Sequence, residues 1–90
     1  MYLHLGQETV VPLKQVVGIF DMDNTTVSKH TRQFLTAAQK AGRVQTVSPE
    51  LPKSFVVCVD SEQKETVYIS QISAATLKSR ALIKTDKRKR

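Results

Sequence analysis

Fourteen Lys and Arg against eight Asp and Glu give this 90-residue chain a net charge of +6, and its length leaves room for one domain. A single cysteine, Cys58, and two histidines, His4 and His30, exclude an intrachain disulfide and any recognisable zinc spacing. No stretch approaches the ~18 apolar residues of a membrane span, and residues 1–6 lack the features of a signal peptide, so a reducing, cytoplasmic location is expected.

In chain order, residues 2–5, stopped by Gly6, read as a short strand. Residues 9–11 read as a second, ended by Pro12, whose missing N–H confines it to a strand end or an edge. Residues 15–20 are apolar nearly throughout, which predicts a strand buried on both faces. Residues 21–26 form a polar turn cluster rich in N-cap side chains. From Val27 the period becomes helical. Val27, Phe34, Leu35, Ala38 and Ala41 share a face, Lys29, Thr36 and Lys40 turn away, and Gly42 supplies a stop, so a helix is predicted over 26–41.

Residues 43–47 read as a strand, and 48–53 as a loop whose path is fixed by Pro49 and Pro52. Residues 54–59 are the strongest strand, 61–65 a charged reversal, and 66–69 the returning antiparallel strand. Ser73 can cap a last helix with Ala74, Leu77 and Ala81 on one face, dissolving into residues 85–90. The fold class predicted is α+β: a small, mainly antiparallel sheet with two helices, in the order strand-strand-strand-helix-strand-strand-strand-helix. One domain is expected over residues 1–83, with a basic tail over 84–90. A chain of this size buries only about 60–65% of its unfolded surface, so self-association is the expected source of added stability.

The charge is unevenly placed. Lys78, Arg80, Lys84, Lys87, Arg88, Lys89 and Arg90 face only Asp86, so residues 78–90 hold the whole +6 and residues 1–77 are neutral. A neutral domain with a cationic tail points to a polyanion, because Lys and Arg release counterions from phosphate backbones. Lys29, His30, Arg32, Lys40 and Arg43 form the one basic concentration outside the tail. On a helix, Lys29, Arg32 and Lys40 can touch phosphates from one side, and Arg32 and Gln33 are the helix residues best placed to read bases. A solvated tail and an ordinary wet helix face are the plainer readings of the same residues.

The run from Val16 into Asp21-x-Asp23-x-Thr25 resembles the first motif of the haloacid-dehalogenase phosphohydrolases. In that family the first carboxylate attacks phosphorus, the second handles the leaving-group proton, and Mg²⁺ neutralises the phosphate. The rest of that enzyme is absent: too few strand–helix units follow, and Glu50, Asp60, Glu62, Glu65 and Asp86 offer no paired carboxylates at a strand end. As a calcium loop the stretch also fails, with Thr26 where Gly is needed and Arg32 where a bidentate Glu belongs. Asp21, Asp23 and Asn24 are therefore read as a turn and helix cap, with no catalytic residue, cofactor, metal or small-molecule substrate expected. Phe20, Phe55 and Tyr68 could form a stacking platform for single strands, but rings in apolar strands more often fill a core. Cys58, between Val57 and Val59, reads as a buried, inert thiol.

With this element order in place, the chain resembles the bacterial extracellular matrix regulators RemA and RemB, RemB being the nearer. The resemblance rests on residues 2–6, the strand at 16–20, the helix closing in Ala41-Gly42, the block 54–69 and residues 72–77. It implies a non-enzymatic, DNA-binding transcriptional activator of biofilm-matrix genes that assembles into a ring-shaped homo-oligomer on double-stranded DNA. Where the RemA branch carries an Arg-rich loop, this chain has Pro49-Glu50-Leu51-Pro52-Lys53, and its first helix is about one turn longer. The DNA contacts expected are therefore Arg43, Lys53, Lys40, Arg32 and Lys29, with Lys87, Arg88, Lys89 and Arg90 of the tail. The alternative is an interaction module that modulates a related regulator without touching DNA. Peripheral association of the tail with anionic lipid is a third option, lacking an apolar anchor.

Overall fold

The computed structural model describes residues 1–22 and 29–89, with side chains through residue 81. Its elements are β1 (Tyr2–Gly6), β2 (Thr9–Pro12), a 3₁₀ turn (Leu13–Gln15), β3 (Val16–Asp21), α1 (Lys29–Lys40), β4 (Val44–Thr46), β5 (Ser54–Val59), β6 (Glu65–Ser70) and α2 (Ala74–Lys89). β1 and β2 form an antiparallel pair, and the other strands form a four-stranded sheet in the order β3-β5-β6-β4. The β3–β5 and β5–β6 pairs are antiparallel and β4–β6 is parallel, so the α+β class and the element order hold. β3 and β4 run in the same direction at the two edges, and α1 crosses the sheet between them.

The period-2 alternation of β5 divides the core into two layers. Val56 and Cys58 pack with Leu3, Leu5 and Val11 of the hairpin and Leu77 of α2. Phe55 and Val57 point the other way and pack with Val67 and Ala38, supported by Phe34 and Leu35 of α1. On the hairpin side, buried Ser70 and Ser54 each donate a hydroxyl to a backbone carbonyl: Ser70 to Leu5 at 2.6 Å and Ser54 to Ile72 at 2.7 Å.

The predicted start of the first helix lies outside the described residues, but its end is as read. Arg43 N–H reaches the Ala38 carbonyl at 2.9 Å and Gly42 N–H the Gln39 carbonyl at 3.0 Å, with Gly42 at φ +74°. These are the two bonds of a Schellman stop, which glycine adopts without a Cβ clash. Ser73 caps α2 through its Oγ, which accepts the Thr76 N–H at 3.1 Å, and Ala74 and Leu77 are buried while Ala81 is partly so. The reversal between β5 and β6 is held by the Asp60 carboxylate, which accepts the N–H groups of Glu62 and Lys64 at 2.8 and 2.9 Å.

Two expectations need correction. β3 is not buried on both faces: it is an edge strand, with Val17 66% and Phe20 45% exposed. A register shift between Val16 and Gly18 turns Val17 out of the ladder. The last helix also does not dissolve at residue 85. Its backbone continues to Lys89, since residues 74–89 contain no Gly or Pro and Lys and Arg are good helix formers.

Candidate nucleic-acid interface

α1 sorts its residues by depth. Phe34, Leu35 and Ala38 turn to the sheet, and Ala38 is fully buried. Lys29, Arg32, Gln33, Thr36 and Lys40 are exposed and, with Ala37, line one continuous shallow surface on the outer side. The helix contains no Asp or Glu. Lys40 in the last turn is favourable to the helix dipole. Three of the expected contacts are thus brought together, with Lys29 and Lys40 about 17 Å apart along the axis at 1.5 Å per residue.

Arg43 and Lys53 do not line that surface, and they stand apart from each other. The carbonyl of Arg43 accepts the Val67 N–H, while Lys53 N–H donates to the Ser70 carbonyl on the other side of β6. Three residues along the strand and two strand spacings across it separate these anchors by roughly 14 Å. The Arg43 guanidinium is half-buried and paired with the Glu65 carboxylate. Sequence reading missed this pair because its partners lie 22 residues apart and meet only through the β4–β6 pairing. Lys53 is exposed at the end of a rigid loop, its carbonyl accepting the Met22 N–H at 2.8 Å. In the same loop Leu51 is 77% exposed. The side chains of Lys87, Arg88 and Lys89, and Arg90 altogether, lie outside the described residues.

The aromatic platform does not form. Phe55 and Tyr68 point to opposite faces of the sheet, into the two separate layers. Phe20 stacks on Phe55 with ring centroids 4.9 Å apart, and Phe55 itself is buried. Burial pushes the Cys58 thiol up to about 11, in keeping with an inert core cysteine. Burial, with Cys58 nearby, also raises the Tyr68 hydroxyl. Asp21 ends β3 opposite Ser54, while Asp23, Asn24 and Thr25 lie outside the described residues. Among the described residues no three His, Cys, Asp or Glu side chains are grouped to hold a metal ion, and no helix is long and apolar enough to cross a membrane.

Fold and surface together define a small α+β protein with a cationic, acid-free helix face. No family model matches the chain. It is 41% identical over 81 residues, 90% of each chain, to extracellular matrix regulatory protein B of Bacillus subtilis (strain 168). The chain therefore belongs to the extracellular matrix regulatory protein family, RemA and RemB, and stands with RemB. A regulatory role follows from that membership.

Proposed function

We propose that this protein activates extracellular-matrix genes by binding double-stranded DNA as a ring-shaped homo-oligomer in the bacterial cytoplasm, without catalysing a reaction. The observation that carries the reading is the exposed, acid-free face of α1 in a member of a regulatory family, in a chain whose net charge is +6. Lys29, Arg32 and Lys40 supply phosphate contacts from that face, Lys53 from its loop, and the tail adds Lys87, Arg88, Lys89 and Arg90. Arg43 is the weakest member of the set, since Glu65 already neutralises it. Few contacts per protomer suffice in a ring, because repeated weak contacts add through effective concentration.

The test is affinity for duplex DNA as a function of salt, for the full chain and for one ending at Ile83. Each phosphate contact contributes about −0.9 to the slope of log affinity against log salt. A steep slope retained by the shorter chain places binding on the folded domain, and a slope lost with the tail assigns it to the tail alone. Absence of binding by both removes the proposal. The loop Pro49 to Lys53, with Lys53 as its only basic residue, favours a second reading, a protein partner instead of DNA, which predicts co-assembly with a related regulator and no DNA binding at physiological salt.

A further inference from the structure

We infer that α1 lies in the DNA major groove and that Gln33, flanked by Arg32 and Thr36, reads base edges there. The inference rests on the DNA-binding reading above and adds to it the element that enters the groove and the residues that set specificity. Three observations carry it.

The first is shape. α1 covers one face of the sheet, so its outer side is a convex ridge 12 residues and about 18 Å long. A helix with its side chains is about 10–12 Å across, and the major groove is about 12 Å wide. The second is the order of residues along the ridge. Lys29 and Lys40 stand at its ends, about 17 Å apart, a span longer than the groove is wide, so a helix lying obliquely sets both against bordering phosphates. Gln33 and Thr36 stand between them, one helical turn apart on the same side, and both are exposed. Gln pairs in bidentate fashion with adenine N6 and N7, Arg with guanine O6 and N7, and Thr contacts either a base edge or a thymine methyl group. The third is electrostatic. Lys29, Arg32 and Lys40 share the outer side of α1, and residues 29–40 hold no Asp or Glu to repel a polyanion there.

The experiment begins by selecting preferred duplexes from a random-sequence library with the full-length protein. The selected duplex and an unrelated one are then titrated with wild type, Gln33→Ala and the double variant Lys29→Ala/Lys40→Ala. Both variants place the best helix former at exposed positions and leave the inward face of α1 untouched. For Gln33→Ala, affinity for the selected duplex should fall on the order of tenfold, while affinity for the unrelated one stays within about twofold. For the double variant, both duplexes should weaken together and the salt slope should drop by about two. Wild type binding without sequence preference, or variants that keep both affinity and preference, overturns the α1 assignment and leaves DNA binding standing. No duplex binding by wild type overturns both.

Discussion

Cys58 is one residue whose environment sets a measurable property of the whole chain. It is 3% exposed on the central strand, beside Leu77, Val56 and the hairpin leucines. Ionisation there would strand a thiolate among apolar groups, so the folded state holds the proton to about pH 11 while the unfolded chain releases it near 9.0. Between those values the folded state binds more protons than the unfolded one, and stability falls as pH rises. The raised Tyr68 hydroxyl acts in the same direction at a nearby position. Urea melts between pH 8 and pH 11 should show this alkaline decline, full stability being present below about pH 9. Cys58→Val, which keeps the apolar volume and removes the titration, should flatten it. An equally steep decline in that variant would place the titration elsewhere.

At the scale of elements, β3 shows what a linear pattern conceals. An apolar run is compatible with a central strand or with an edge strand carrying a bulge, and periodicity alone does not separate them. Only the pairing order β3-β5-β6-β4 does, and it is set by α1 carrying the chain across the sheet to β4. Elements announced by local chemistry were legible: the Gly42 stop, the Ser73 cap and the antiparallel hairpin of β5 and β6 all read correctly. Among the candidate contacts, helical spacing grouped Lys29, Arg32 and Lys40, but the pairing of Arg43 with Glu65 depends on register and was not legible.

The same strand carries a local device. Gly18 and Phe20 lie on the α1 side of β3, and a Cβ on Gly18 would sit 2.6 Å from the Phe20 ring. The glycine thus leaves room for Phe20 to lie along the strand and stack on Phe55, an aromatic cover over an edge glycine. Alanine normally stabilises a strand relative to glycine, by roughly 0.5–1 kcal/mol. Here Gly18→Ala should instead destabilise by about 1 kcal/mol, the size of a displaced aromatic pair. In a Phe20→Ala background the same substitution should become neutral or stabilising. A double-mutant cycle with no coupling between the two positions would show that the ring and the glycine are independent.

For the whole molecule, the remaining question is what covers its exposed apolar surface. Tyr2 and Val10 are 61% and 53% exposed on the outer face of the β1–β2 hairpin, and Met1, just before it, is 63% exposed. Val17 and Phe20 are exposed at the β3 edge, where with Phe34, Phe55 and Val57 they line an apolar groove of about 380 Å³ between α1 and the sheet. These are two different surfaces on two different sheets, and a contact of one against the other is heterologous, the kind that closes into rings. The outer edge of β3, unpaired among the described residues, is itself a surface that proteins cover or blunt. If the proposed homo-oligomer forms through this edge, Val17→Lys places a charge in its interface. Because Val17 is turned out of the ladder at a bulge, the protomer should keep its circular dichroism spectrum. Native mass spectrometry should then show wild type as an oligomer and Val17→Lys as a monomer, with Leu51→Ser, at the exposed loop tip, retaining the wild-type mass. An oligomer that survives Val17→Lys and dissociates on Leu51→Ser would move the contact from the sheet edge to the loop.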